Sequence, residues 1–421
     1  MKIKSSQEKQ PICLLFRVHQ PYRLKPYRFF DIGIDHSYFN QNQNADILKR
    51  ITRDCYLPVN EVLMKLIRKF GDGFKIALSI SGTAIEQMKK YVPEALESFR
   101  ALYRTGNVEL VAEPYSHSLA MLIDLDEYRR QVEKQVKMLH CFFGCTPDAL
   151  INPNLLYSDE LVSLASGMGF KVVLVDEVQQ FSGIEYYNQR KENNPNPELK
   201  IALRNNELSE DISSRFSSRE WTEWPLTTEK YVGWLNGLEH STTPVNIFTD
   251  YETFAGYKNM NTGILNFLQV FVARIVASRR WLFSTVSEAA EAIKFVVKPY
   301  SQNRIKVTDQ NHGLSSWIGN DLQREALRGL YSALPVMATC SDNALRNDWN
   351  KLQSSDHFYY MSLEHYHNGE MSTSFNPYSS PYEAFLNYMN VLSDFLIRVN
   401  EYGDCHKQVD ENSFKLNQYN V

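Results

Sequence analysis

Ionisable and polar residues follow a series of short apolar segments along the first 250 residues of the chain. These groups occupy positions 17–21, 79–82, 113–117, 152–154, 176–177 and 250–252. They are rich in His, Asp and Glu, the side chains that most often act as general acids and bases. If the apolar segments are parallel strands, their carboxyl ends meet at one edge, and the polar groups converge there.

Several of these residues also have a structural explanation. A single His19 after a strand is commonly a hydrogen-bonded structural residue, and Asp176 with Glu177 can cap the following helix. Glu109 is harder to explain in this way, because it lies on the same face of a predicted strand as Glu113. If that face is the interior, the Glu109 carboxylate needs a partner, since an unpaired buried charge is costly.

Six short segments rich in β-branched and aliphatic residues predict strands at 12–16, 75–80, 108–111, 149–151, 172–175 and 245–248. Amphipathic patterns over 83–103, 124–143 and 159–168 predict helices between several of them. This alternation favours parallel strands with crossover helices. At least six strands over about 290 residues favour a barrel over an open sheet.

The domain pattern changes along the chain. The strand and helix pattern assigns residues 1–297 to the barrel domain. Within this domain, the segment 182–226 is rich in Asn, Pro and charged residues and is interpreted as a long insertion. Helical spacing over 321–336, 342–352 and 381–399 predicts a helical C-terminal domain at 298–402. Residues 403–421 form a polar tail that is predicted to fray.

The composition excludes several classes of protein. A net charge of −4 leaves no basic excess for coating phosphates, so a nucleic-acid partner is not expected. No segment approaches the ~20 apolar residues of a membrane span, and six scattered cysteines indicate reduced thiols, so a cytoplasmic protein is expected. Cys141 and Cys145 lack the spacing of a zinc ribbon, and neither a metal nor a cofactor is expected.

Five sequence blocks carry a more specific signal. They are His19-Gln20-Pro21, residues 106–113 with Tyr115 and His117, Asn154-Leu155-Leu156-Tyr157-Ser158, Asp250-Tyr251-Glu252-Thr253-Phe254, and Trp317-Ile318-Gly319-Asn320 with Gln323. In this order they resemble glycoside hydrolase family 57, in its α-amylase-like branch, over about residues 12–400. The resemblance implies an α/β fold, a distorted or incomplete (β/α)7 parallel barrel followed by a C-terminal helical domain. It also implies an α-glucan or maltooligosaccharide as the binding partner.

The resemblance also implies catalytic roles. Active members of the family use a glutamate nucleophile after the fourth strand and an aspartate acid/base after a later one, in a retaining mechanism. Asp250 matches the acid/base position, whereas Asn154 stands at the nucleophile position. Placement after or on separate predicted elements adds substrate-binding candidates, namely His19, Gln20, Glu109, Glu113, His117, Trp221 and Trp317. An amide is a poor nucleophile and cannot form the glycosyl ester, so hydrolysis is expected to be impaired or absent.

Three functions are left open by these residues. The chain is a weakened α-glucan hydrolase, a catalytically silent α-glucan-binding protein on the same fold, or a hydrolase with a replacement base. Glu113, Asp176 and Glu177 are the candidates for that base, and an inverting arrangement would need carboxyl groups roughly 6.5–9.5 Å apart. A metal-dependent deacetylase is disfavoured, because no clear His pair accompanies an Asp-Asp. Changing Asn154 to Glu is expected to raise hydrolysis if the rest of the site is intact.

Overall fold

The computed structural model describes residues 9–153, 155–176, 199–239, 243–254, 263–292, 314–367 and 376–418. The chain divides into two compact units. The first contains Met1–Gln20, Ala45–His117 and Tyr128–Lys306, and the second contains Pro21–Asn44, Ser118–Glu127 and Val307–Val421. Segments 21–44 and 118–127 thus belong with the second unit, in addition to the C-terminal part of the chain. A unit assembled from three separate chain segments leaves no boundary signal in composition.

The first unit is built on parallel strands. Within the described residues they are β1 (Gln10–Val18), β2 (Ile76–Ile80), β3 (Val108–Val111), β4 (Ala149–Leu150), β5 (Val172–Val175), β6 (Lys200–Leu203), β7 (Val245–Asp250) and β8 (Trp281–Phe283). One sheet has the order β3-β2-β1-β7 with β8 also on β1, and the other has the order β4-β5-β6. Every one of these pairings is parallel.

Two single bridges join the sheets into a ring. Ala112 pairs with Leu150 between β3 and β4, and Arg204 pairs with Asn246 between β6 and β7, both in parallel. Strands β1 to β7 thus follow one another around a closed barrel, which confirms the predicted (β/α)7 fold. The barrel is distorted because two of its seven joints rest on these short bridges and a few flanking backbone hydrogen bonds.

The apolar core of the barrel includes a helix. Val286, Ala289 and Ala290 of helix α10 (Val286–Ala292) belong to the same buried cluster as Leu15 and Phe248. The preceding strand β8 pairs only with the first residues of β1, from Gln10 to Ile12. A helix beyond the seventh unit therefore contributes to filling the barrel.

The other helices that lie wholly or mostly in the first unit follow these strands along the chain. They are α1 (Gln41–Ile51), α2 (Leu57–Phe70), α3 (Gly82–Tyr91), α4 (Pro93–Tyr103), α5 (Leu125–Phe143), α6 (Asp159–Gly167), α7 (Asn206–Ser213), α8 (Thr228–Gly237) and α9 (Ile264–Val276). Helices α1 and α5 begin in segments of the second unit and end in the first. The helix predicted over 83–103 is two helices, because Pro93 disfavours helical backbone at the preceding Val92, which has φ −148° and ψ 63°.

All six predicted strands are present, but the sequence pattern does not predict β6 or β8. Strand β6 and helix α7 lie inside the segment 182–226 that was interpreted as an insertion, so part of that segment belongs to the barrel itself. Strands of four and three residues are too short to show a clear period.

The second unit is helical in the residues that the structure describes. Its helices are α11 (Ser315–Ile318), α12 (Asp321–Tyr331), α13 (Leu334–Met337), α14 (Asn343–Leu352), α15 (Ser355–Tyr359), α16 (Leu363–His367) and α17 (Pro381–Gln418). Helix α17 corrects the predicted tail at 403–421, because the helix continues to Gln418 with no proline to stop it. No described helix is both long enough and apolar enough to cross a bilayer.

A buried carboxylate fixes the segment 21–44 within the second unit. Asp394 of α17 accepts hydrogen bonds from the Gly33 amide (2.6 Å), His36 Nδ1 (2.8 Å) and Tyr38 Oη (2.5 Å). Its side chain has no solvent exposure. Since a buried carboxylate needs such partners, this segment is specified by polar contacts as well as by its apolar residues.

We predict that Gly82→Ala destabilises the barrel by about 1–3 kcal/mol, the usual range for overpacking a core. A Cβ at Gly82 would lie 2.1 Å from Tyr115 Cδ2, and the Tyr115 ring is completely buried. Urea unfolding measures the loss. The matched control is Gly233→Ala in α8, where a Cβ meets nothing within 4 Å, so a neutral or slightly stabilising effect is expected. Equal losses in the two variants would contradict the close-contact explanation.

Candidate active site

A layer of polar side chains lies next to the apolar core, at the carboxyl ends of the barrel strands. Each member stands two residues after a core residue of its own strand, so the alternation of a strand keeps it on the inner face. Those core residues are Leu15, Ala77, Val111, Leu174, Ala202 and Phe248. We call the following six residues the polar layer: Arg17, Ser79, Glu113, Asp176, Arg204 and Asp250.

Arg17 connects several elements of the barrel end. Its Nε donates to Asp250 Oδ1 at 2.6 Å, and its Nη1 lies 2.9 Å from both His117 Nε2 and the Pro153 carbonyl oxygen. Sequence reasoning did not include Arg17 among the site residues. The available signal was its position two residues after Leu15, which places it on the same inner face of β1.

The protonation of His117 follows from its partners. A guanidinium can only donate, so His117 Nε2 accepts from Arg17, and its Nδ1 carries the proton and donates to Glu113 Oε2 at 2.9 Å. Burial, together with the charges of Arg17 and His19, lowers the pKa of His117 to about 4. His117 is therefore a neutral imidazole at physiological pH.

Glu113 fixes His117 in place. Ser79 Oγ donates to Glu113 Oε1 at 2.8 Å, while the other carboxyl oxygen binds His117, and the Glu113 side chain has no solvent exposure. His117 also has a left-handed backbone with φ +57°, a conformation that is rare for residues other than glycine and is often found at functional sites. Glu113 thus acts on His117 and is not placed to meet a ligand.

His19, Gln20 and Glu252 extend this network. The His19 and His117 rings lie 4.5 Å apart between centroids, and His19 Nδ1 is 2.7 Å from Ser81 Oγ. Gln20 Nε2 donates to Glu252 Oε1 at 3.3 Å, which places Gln20 beside a carboxyl group. Burial and the nearby Asp250 charge raise the pKa of Glu252 to about 7. Glu252 belongs to one of the five sequence blocks but was not predicted as a site residue.

Asp250 ends β7, and its side chain is 49% exposed. Desolvation of the carboxyl group favours its neutral form, but the charge and hydrogen bond of Arg17 outweigh that effect and hold the pKa of Asp250 below its usual range. Asp250 is therefore an anion over the pH range in which most proteins work. A general acid instead has to carry a proton at the working pH.

Glu109 does not join these residues. Its carboxylate accepts hydrogen bonds from the Ser287 amide at 3.1 Å and from the Ser287 hydroxyl, at the start of α10. Burial raises the pKa of Glu109, while these hydrogen bonds oppose the rise. The partner that a buried glutamate requires is thus supplied by the helix inside the barrel.

Trp221 and Trp317 were both predicted to bind substrate, and the contacts described for them include other aromatic rings. Trp221 lies in the first unit with its ring centroid 5.9 Å from that of Trp234. Trp317 lies in the second unit, where its ring centroid is 6.0 Å from that of Tyr359. Their role in binding stays a prediction. Asn154 lies outside the described residues.

The residues on either side of position 154 are held by the polar layer. The Pro153 carbonyl accepts from Arg17, and the Leu155 carbonyl accepts from the Asp176 amide at 2.6 Å. Leu155 has φ +50°, a second left-handed backbone next to the site. Asp176 Oδ1 lies 3.7 Å from Arg204 Nη1. Among the described residues, no three His, Cys, Asp or Glu side chains are grouped so as to hold a metal ion.

The fold and this cluster define a parallel βα barrel with acidic, basic and imidazole groups at the carboxyl ends of its strands. Residues 13–307 match the glycosyl hydrolase family 57. The chain belongs to that family. A protein of Methanocaldococcus jannaschii that is provisionally named an alpha-amylase is 30% identical over 405 residues, covering 93% of this chain and 85% of that protein.

Solved structures share the fold. A GH57-type branching enzyme from Pyrococcus horikoshii aligns with a TM-score of 0.61 at 12% identity, covering 94% of each chain. A 4-alpha-glucanotransferase from Thermococcus litoralis aligns with a TM-score of 0.59 at 14% identity over 91% of this chain, which spans 60% of that longer one. At these identities the likeness concerns the fold alone.

We predict that His117 keeps its proton on Nδ1 and stays neutral above about pH 4. An unperturbed histidine titrates near 6.5, so the unfolded chain binds more protons than the folded one between these two values. The contribution of His117 to stability should therefore be fully present above pH 6.5 and fall by about 1.4 kcal/mol per pH unit as the pH drops toward 4. Glu252, whose pKa is raised to about 7, contributes a slope of the opposite sign, so the His117 contribution is measured as the difference between the wild type and His117→Gln.

Two-dimensional ¹⁵N NMR identifies the tautomer, and urea unfolding at several pH values gives the slope. The control is His117→Gln, which also assigns the resonance and should lack the His117 contribution to the slope. An Nε2-protonated ring, or titration near 6.5, would contradict the hydrogen-bond arrangement.

Proposed function

We propose that this protein binds α-glucan oligosaccharides at the carboxyl end of the barrel and hydrolyses them slowly or not at all. The observation that carries the proposal is Asn154 at the nucleophile position of the family, with Asp250 retained at the acid/base position. A retaining reaction begins when a carboxylate attacks the anomeric carbon, and an amide does not form that ester. The loss of such a nucleophile commonly costs several powers of ten in rate.

Binding does not depend on the missing carboxylate. Asp250 offers a half-exposed hydrogen-bond acceptor for sugar hydroxyl groups. His19 stands next to His117 and adds a polar ring edge. We assign sugar stacking in the first unit to Trp221, since aromatic faces pack against the apolar faces of a sugar ring. A chain with these groups retains affinity while it lacks the attacking group.

We predict measurable heat on titration with maltooligosaccharides at millimolar concentration or below, and little or no reducing-end product after long incubation. Asp250→Asn should bind similarly, because the amide still accepts a hydrogen bond through its oxygen. Gly233→Ala, remote from the polar layer, is the control for handling and folding. The absence of binding at millimolar sugar would contradict the proposal, as would rapid turnover by the wild-type chain.

A hydrolase with a replacement base is the second candidate, and the structure favours Asp176 for that role over Glu113. The Asp176 amide bonds to the Leu155 carbonyl beside position 154, and the Asp176 side chain is 38% exposed. Glu113 is enclosed by Ser79 and His117. The third candidate, Glu177, lies outside the described residues.

If Asp176 is the base, the wild-type chain should hydrolyse maltooligosaccharides with inversion at the anomeric carbon. Asp176→Asn should then lower the rate by about 10²-fold or more, the usual size of a general-base contribution. Proton NMR of the first-formed anomer distinguishes inversion from retention. Glu210→Gln is the matched control, because Glu210 also pairs with Arg204 but stands on helix α7.

A further inference from the structure

The ion pair between Arg17 and Asp250 bears directly on proton transfer at the site. Arg17 Nε donates to Asp250 Oδ1 at 2.6 Å, and a carboxyl group that accepts from a guanidinium is stabilised as an anion. In the first step of a retaining glycosidase this residue has to give a proton to the departing glycosidic oxygen. In this arrangement Asp250 has no proton to give.

Arg17 is held firmly in this position. Its side chain is 19% exposed, and Nη1 makes hydrogen bonds to His117 Nε2 and to the Pro153 carbonyl, each at 2.9 Å. His117 is in turn fixed by Glu113. The guanidinium cannot turn away from Asp250 without breaking these contacts as well.

We propose that Arg17 is a second block to hydrolysis, independent of the amide at position 154, because it holds the acid/base residue Asp250 as a carboxylate ion. This inference rests on the proposed function, in which Asp250 occupies the acid/base position. Arg17 is a positioning residue in this scheme, since it acts through Asp250. Consequently Asn154→Glu alone does not restore cleavage of a natural glucan, in contrast to the expectation from the sequence.

Two substrates separate the two blocks. With α-maltosyl fluoride, the C–F bond breaks as the introduced carboxylate bonds to the anomeric carbon, and fluoride leaves with the electron pair and needs no proton. Water then attacks the glycosyl ester, the carboxylate leaves, and the proton from water passes to Asp250. A maltooligosaccharide instead leaves through a glycosidic oxygen that has to be protonated as its bond breaks.

The experiment compares three variants with the wild type. Asn154→Glu should release fluoride from α-maltosyl fluoride, at least as a burst of about one equivalent per chain, yet cleave maltooligosaccharides poorly. Adding Arg17→Gln should raise maltooligosaccharide cleavage by at least about 10²-fold, the usual size of a general-acid contribution, with a much smaller change in fluoride release. Adding Arg17→Lys is the matched control, which keeps the positive charge and should leave cleavage slow.

The pH dependence of maltooligosaccharide cleavage tests the role of Arg17 further, because it would not change if Arg17 only supported the fold. Asn154→Glu with Arg17→Gln should show a bell-shaped profile for maltooligosaccharides, with the limb at higher pH set by Asp250. The limb should disappear when Asp250→Asn is added. Fluoride release should lack that limb in its first turnover.

Two results would overturn the inference while leaving the proposed function intact. One is cleavage of maltooligosaccharides by Asn154→Glu alone at the rate of the double variant. The other is a double variant that releases fluoride but still fails on maltooligosaccharides. If no Asn154→Glu variant releases fluoride, residue 154 does not stand at the nucleophile position and the inference fails, whereas the proposed binding function is judged separately by the titration with maltooligosaccharides.

A measurement on the wild-type chain does not depend on the folding of any Arg17 variant. ¹³C NMR should find the Asp250 carboxyl ionised at and below its ordinary pKa of 3.8, with Asp250→Asn used only to assign the signal. Titration of that carboxyl above 3.8 would overturn the inference.

Discussion

The register between β1 and β7 places Arg17 directly beside Asp250, and the chemistry of the barrel end depends on that pairing. The two residues are Cα partners in a parallel ladder that begins at Ile12 and Val245. Because the side-chain period of a strand is two, a slip by one residue would turn either group out of the barrel. The apolar residues Leu15 and Phe248 one period earlier oppose such a slip, since both are buried in the core.

The same pair is better understood through its effect on protonation than through its effect on stability. Arg17 is 19% exposed and Asp250 is 49% exposed, so water screens much of their attraction. Removing only one partner has a larger effect, because it leaves the other polar group without its hydrogen bond. His117 and the Pro153 carbonyl share the guanidinium and would also lose a donor. The ion pair therefore couples the charge of the Asp250 carboxyl group to the positions of Arg17, His117 and Pro153, which lie at or after the ends of three other strands.

Much of the barrel could be predicted from the sequence, because buried parallel strands are continuous β-branched and aliphatic runs. The motifs likewise predicted His19, His117 and Asp250 in one site, and the structure places the His19 and His117 rings 4.5 Å apart between centroids. The depth of a residue in the barrel could not be predicted. Glu109 and Glu113 share a face of β3, yet four residues of strand separate them by about 13 Å, and one binds α10 while the other binds His117.

Side-chain pairings between residues far apart in the sequence could not be predicted either. Glu109 and Ser287 are 178 residues apart, and Arg17 and Asp250 are 233 residues apart. The alternation of side chains along β1 predicts that Arg17 lies on the inner face of the barrel. It does not predict which side chain Arg17 contacts. The helical unit was hidden for a related reason, since two of its three segments interrupt the barrel sequence.

The central position of β1 has a consequence for the synthesis of the chain. Strand β2 follows β1 closely enough to pair with it early, whereas β7 and Thr285, which follows β8, contact β1 from 233 and 272 residues away. At about 5–20 residues per second, the ribosome needs on the order of ten seconds or more to deliver them. Throughout that interval one edge of the apolar segment 12–16 has no native neighbour. An unpaired strand edge of this composition can pair with the same edge of another nascent chain. Aggregation is therefore expected mainly during synthesis, when several unfinished chains lie close together on neighbouring ribosomes.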